Sequence, residues 1–133
     1  MSEDNVEIVA ECFRAWDRGD PVAVVANYAT DVEVDASRVM EGVYRGRDAV
    51  LSYYRTIFET LGFANDDLRL VAAEDKVVAI TRLHGVGAAS GAEVETPFAY
   101  VFTLREGRVQ RVCFYSDPSE ALQSAGLSNS SLE

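Results

Sequence analysis

A chain of 133 residues suits one domain with one hydrophobic core. Its net charge of −10 repels phosphate backbones and anionic lipid, which sets nucleic-acid and membrane partners aside. An apolar share of 48% and a charged share of 26% are those of a globular protein, and no apolar run approaches the roughly 20 residues that span a bilayer.

The first segment, Met1 to Asn5, is acidic and has no basic stretch followed by an apolar one. A cytoplasmic location is therefore expected. Asp4 is placed to cap a first helix, with Glu7 three residues on completing a capping box. Val6, Val9, Phe13 and Trp16 follow at steps of three and four, so one face of that helix is expected to be buried. Gly19 supplies a left-handed stop. Asp20-Pro21 opens a second, short helix that carries Val24, Val25 and Tyr28 inward.

Residues 31–36 read as a short strand, with Val32 and Val34 on one side and Glu33 and Asp35 on the other. Residues 37–46 read as a loop. A third helix is expected over 47–61, its stripe formed by Val50, Tyr54, Ile57 and Leu61, with Gly62 ending it. From Asp67 the apolar period becomes two. Strands are predicted over 67–72, 77–86, 91–104 and 108–116, with a polar turn at 74–76, a small-residue bend at 87–91 and a turn at 105–107. Asp117-Pro118 repeats the cap-and-proline grammar and starts a last short helix, which stops at Gly126. Residues 1–127 are expected to form the single domain and 128–133 a frayed tail.

Helices segregated from a mostly antiparallel sheet define an α+β architecture. The glycine-containing bend between long strands predicts strong curvature, with the sheet wrapped over the helices around a pocket. Cys12 and Cys113 sit inside apolar patterns and are expected to be reduced thiols. With one histidine there is no Cys/His ligand spacing, which argues against zinc, so no metal is expected, and no cofactor is expected either.

The order and punctuation of these elements resemble the NTF2-like superfamily, and within it the SnoaL-like polyketide cyclase and ketosteroid-isomerase-like families. The residues that carry the likeness are Trp16 with Arg18-Gly19-Asp20, the run from Tyr28 to Val32, and the run from Gly42 to Val50. The last hairpin from Phe102 to Val109 and the closing Tyr115-Ser116-Asp117 complete it. The resemblance covers residues 5–127. It implies a cone-shaped barrel around a deep apolar pocket, a small apolar ligand, and a homodimer formed through the outer sheet face. Cys113 and Tyr115 would then face the dimer partner.

The families also imply roles. The base of a ketosteroid isomerase falls at Asp35 or Ala36, its oxyanion tyrosine at Cys12, its second aspartate near Tyr100 and a supporting tyrosine at Tyr54. The arginine of a limonene-type epoxide hydrolase falls at Arg82, but its two aspartates fall at His84 and Phe114. A cyclase of the SnoaL type needs one acid/base beside a carbonyl, which Asp35 or His84 could supply.

Read from the residues themselves, Arg82 and His84 share strand parity with Val78 and Ile80. That face lines either a pocket or a dimer interface. Histidine is the natural proton carrier near neutral pH. Arg82 could hold an enolate oxygen or pair with Glu95 on the next strand. Trp16, Tyr28, Tyr44, Tyr54, Phe98, Phe102 and Phe114 offer aromatic surface to a flat ligand, with Tyr44 at the rim of the mouth. Core packing is the competing role for Trp16, Phe98 and Phe102. Two functions follow. One is a cofactor-independent isomerase, cyclase or hydrolase acting on a ring-bearing carbonyl compound through Asp35, His84, Arg82 and Tyr100. The other is a ligand-binding or dimeric assembly module without chemistry.

Overall fold

The first helix, α1 (Ser2–Asp17), begins ahead of the expected cap, so Asp4 lies in its first turn, where its charge meets the positive end of the helix dipole. The computed structural model describes residues 2–39, 42–60, 64–86 and 93–128. At the end of α1, Gly19 adopts φ +72°. Its N–H donates to Trp16 O at 2.9 Å and that of Asp20 donates to Ala15 O at 3.0 Å, a Schellman closure that turns the chain. Asp20 then caps α2 (Pro21–Val24), accepting from the Ala23 N–H at 3.1 Å.

Strand β1 (Tyr28–Asp35) starts three residues before the expected point. Strand β2 (Val43–Arg45) lies within the expected loop and pairs antiparallel with β1, Glu33 opposite Arg45. Three residues carry too little periodicity to be read as a strand. Helix α3 (Arg47–Thr60) buries Val50, Tyr54 and Ile57 as its stripe requires. The expected stop at Gly62 and the bend at 87–91 lie outside the described residues.

Four strands follow: β3 (Ala64–Ala73), β4 (Lys76–Val86), β5 (Glu93–Arg105) and β6 (Arg108–Tyr115). Strand β3 begins earlier than the alternation indicates. A bulge between Asp66 and Arg69, with Asp67 at φ +55°, breaks the period of two there. The β5–β6 turn sets Glu106 and Gly107 at positive φ, the geometry that suits a two-residue hairpin. Helix α4 (Pro118–Ser124) is capped by Asp117, which accepts from the Ser119 N–H at 2.9 Å.

The α+β class holds, but the strongly curved, closed cone does not. The strands form one open six-stranded sheet in the order β2-β1-β6-β5-β4-β3, with β2 and β3 as its two edges. The sheet is mixed, because β1 runs parallel to β6 while its other pairs are antiparallel. The β4–β5 ladder keeps unbroken register from Lys76–Thr103 to Val86–Glu93, without the bulge that bending would use.

Both faces of the sheet carry buried residues. The inner face carries Val32, Val34, Val77, Ala79, Phe102 and Val112, packed against Val9 and Phe13 of α1 and Val50 and Ile57 of α3. Each fully buried Val, Ile or Phe side chain stabilises the fold by roughly 1.5–3 kcal/mol. The outer face carries Val78, Ala99, Val101, Cys113 and Tyr115, which lie under Ala121 and Leu122 of α4. Cys113 and Tyr115 are therefore covered by this chain's own last helix, not left for a partner. Arg38 adds to that cover, its guanidinium 4.9 Å from the Tyr115 ring centre and its Nη1 donating to Cys113 Sγ at 3.5 Å. Among the described residues no helix is long and apolar enough to cross a membrane.

Candidate functional site

An apolar cavity lies between the inner sheet face and the helices. Helix α1 contributes Cys12, Phe13 and Trp16, α3 contributes Tyr54 and Ile57, and β1 contributes Tyr28. Strand β3 adds Asn65, β4 adds Leu83, β5 adds Phe98, Tyr100 and Phe102, and β6 adds Val112 and Phe114, with Val24 of α2 beside them. The alternation of β5 sends Phe98, Tyr100 and Phe102 to one side, which is why three aromatic rings meet there. About 60 Å³ is open to the centre of a water molecule, and about 610 Å³ is free of atoms when the mouth is counted. At about 10–15 Å³ of such space and about 30 Å³ of liquid per water, that space suits a molecule of one or two rings.

The rings hold one another edge-on. Phe13 meets Tyr100 at 5.4 Å and 70°, and Phe98 meets Phe114 at 5.9 Å and 72°. These contacts pre-form the walls. The polar groups are few and already paired. The Tyr28 and Tyr54 hydroxyls lie 3.0 Å apart, and Tyr100 donates to Asn65 Oδ1 at 2.8 Å. Burial pushes all three phenols above their ordinary range, so each stays protonated at neutral pH. Burial, helped by the charge of Glu11, pushes the Cys12 thiol up to about 12, so it lines the cavity as a thiol and not as a nucleophile. Two hydroxyls joined by one hydrogen bond leave one phenolic proton for a ligand oxygen. Tyr100 has given its proton to Asn65 and offers lone pairs.

The sequence-predicted residues divide between the two faces. Trp16, Tyr28, Tyr54, Phe98, Tyr100, Phe102 and Phe114 line the cavity. Asp35, Arg82, His84 and Tyr44 do not. Tyr44 stacks on Tyr53 at 4.0 Å and 13°, away from the lining, and burial there raises the Tyr53 phenol to about 12. Arg82 is half-exposed, with Nη1 3.4 Å from Asp67 Oδ2, and His84 Nδ1 lies 3.6 Å from Asp66 Oδ2. Leu83 between them points inward. Arg82, His84 and Tyr100 therefore do not share a hollow. Parity grouped Arg82 and His84 with Val78 and Ile80 correctly, but those apolar residues serve the α4 side. Across the β4–β5 ladder Glu95 is registered with His84, while Arg82 is registered with Pro97.

Asp35 alternates outward from Val34. Its Oδ1 accepts from the Ser37 hydroxyl and from the Ser37 N–H at 3.0 Å, and Arg111 Nη2 donates to Oδ2 at 3.4 Å. The Ser37 hydrogen bonds, aided by Arg111 and Arg38 and opposed by burial, hold its carboxyl below the ordinary 3.8. A carboxyl lowered by folding stabilises the native state above the unfolded-chain value and loses that contribution as pH falls through the folded value. Stability is thus expected to fall below about pH 4, with a shallower acid limb in Asp35→Asn. Urea melts between pH 2 and 7 would show this, and identical limbs in both proteins would refute it.

Sequence reading did not name Cys12, Phe13, Val24, Ile57, Asn65, Leu83 or Val112 as lining residues. Phe13 stood on the same stripe as Trp16, a signal that was there to use. Asn65 precedes the bulge and was hidden among the polar residues 65–67.

The fold and the cavity together define a small α+β pocket protein. Residues 9–112 match the SnoaL-like domain family, and the chain belongs to that family. No curated protein matches it in sequence. Solved structures with the same fold include a candidate polyketide cyclase from Xanthomonas campestris, with TM-score 0.79 and 23% identity over 93% of this chain and 98% of that one. An NTF2-like protein from Burkholderia thailandensis has TM-score 0.74 and 27% identity over 92% and 96% of the two chains. A protein of ketosteroid isomerase-like fold from Catenulispora acidiphila, solved with trimethylamine, has TM-score 0.75 and 19% identity over 91% and 93%.

Proposed function

We propose that this chain binds a small, apolar, ring-bearing molecule carrying one hydrogen-bonding oxygen. The observation that carries this reading is the composition of the cavity: aromatic and aliphatic walls around a tyrosine pair with one proton to give. The ligand's rings would lie among Trp16, Phe98, Phe102 and Phe114. Its oxygen would accept from the Tyr28–Tyr54 pair.

The acid/base enzyme is the second reading, supported by the relative named as a candidate polyketide cyclase. Proton transfer needs a carrier within hydrogen-bond reach of the ligand. Asp35 and His84, the carriers proposed for it, stand outside the cavity lining. The binding reading is therefore preferred.

Trp16 is the only tryptophan and lines the cavity, so it reports occupancy directly. Titration with 1-indanone, a neutral two-ring ketone, is expected to quench its emission saturably, with Kd below about 1 mM, which corresponds to about −4.1 kcal/mol. Asp35→Asn is expected to leave that Kd unchanged. A linear, unsaturable response would reject the binding reading, and loss of binding in Asp35→Asn would restore a role for that carboxylate.

A further inference from the structure

We infer that the cavity selects its ligand by charge state, taking the neutral form and rejecting anions and cations of the same shape. This deepens the ligand-binding reading above and rests on it. Each element that lines the cavity can be searched for a charge. Helix α1 presents Cys12, α3 presents Tyr54, β1 presents Tyr28, β3 presents Asn65 and β5 presents Tyr100, while α2, β4 and β6 present Val24, Leu83, Val112 and Phe114. Among the described lining residues there is no Asp, Glu, Lys, Arg or His.

The charges near this part of the fold have other partners. Glu11, next to Cys12 on α1, is held by Arg14 and Arg18 on the exposed side of the helix. Asp35, Arg82 and His84 are bound on the outer face to Arg111, Asp67 and Asp66.

An anion entering the cavity would exchange its water for dipoles alone. It would find one phenolic proton at the Tyr28–Tyr54 pair, because the Tyr100 proton is already directed to Asn65 at 2.8 Å. A cation would meet aromatic rings, but several of them are engaged edge-to-face with one another. Tyr100 packs in this way against Phe13, Phe98 and Phe114. Attraction to a ring face replaces only part of an ion's hydration, and no carboxylate in the lining supplies the rest. A neutral molecule loses little water and gains the whole apolar wall.

The test uses three two-ring probes at pH 7: 2-naphthol, which is neutral, 2-naphthoate, an anion, and N-methylquinolinium, a cation. Calorimetric titration of the intact chain is expected to give 2-naphthol a Kd at least 100-fold lower than either ion. If 2-naphthoate binds within tenfold of 2-naphthol, charge-state selection is overturned while ligand binding stands, and the cavity is then an anion-holding site. If N-methylquinolinium binds within tenfold, selection is overturned in the other direction. Failure of all three probes, with the thermal melt intact, would overturn the binding reading and this inference together.

Discussion

Tyr54→Phe is expected to destabilise the protein by about 1–3 kcal/mol, while the double substitution Tyr28→Phe/Tyr54→Phe costs less than the single one. The reason lies in the accounting of buried polar groups. The Tyr28 hydroxyl is almost wholly buried, and its recorded partner is the Tyr54 hydroxyl at 3.0 Å. Removing one oxygen strands the other in an apolar wall. Removing both leaves two phenylalanines of nearly the same shape and nothing unsatisfied. Urea denaturation of the four proteins in the cycle would measure the coupling. Additive single effects would mean that the two hydroxyls do not act as one unit. The same double variant should bind 1-indanone at least tenfold more weakly while remaining folded, because the proton offered to the ligand has gone.

Leu122→Ala is expected to lower stability by about 2–5 kcal/mol, a Tm decrease on the order of 5–20 °C. Leu122 is fully buried, and with Ala121 it covers Val78, Val101, Cys113 and Tyr115. The truncation opens a cavity under a helix of only seven residues, whose hold on the sheet depends on few apolar side chains. Loosening α4 would uncover an apolar face and bring Cys113, now buried, within reach of solvent. A thermal melt combined with thiol labelling reads both effects. A Tm decrease below about 2 °C with unchanged labelling would show that α4 is not what covers this face.

Much of the fold was legible because its signals were local. Gly19, Asp20-Pro21 and Asp117-Pro118 each mark a boundary through backbone constraints that need no tertiary information. The stripe of Val50, Tyr54 and Ile57 placed α3 for the same kind of reason. Strand β2 and the start of β3 were not legible. One is too short to show a period, and the other crosses a bulge at Asp66 to Arg69 that shifts it. The candidate site was half legible. Aromatic side chains on β5 and α3 pointed to the cavity through their spacing. Parity on β4 separated two sets of residues but could not say which set faces the helices, because in the first half of that strand both sides are apolar and buried, Val77 and Ala79 on one and Val78 on the other. For that reason the face bearing Arg82 and His84 stayed open between a pocket and an interface. Asp35 was read on the side opposite Val32 and Val34, and the burial of those two in the inner core puts it outside.

The parallel pairing of β1 with β6 ties an early strand to a late one, Tyr28 beside Val109 and Asp35 beside Cys113. As the chain leaves the ribosome, β1 and its short companion β2 have no neighbour on their other flank until the final strand emerges. Closing so long a loop is slow, and the apolar surface waiting for it is exposed meanwhile. The same last strand brings Val112 and Phe114, part of the cavity lining. A nascent chain halted before residue 108 should therefore lack a finished cavity wall and be prone to stick to others.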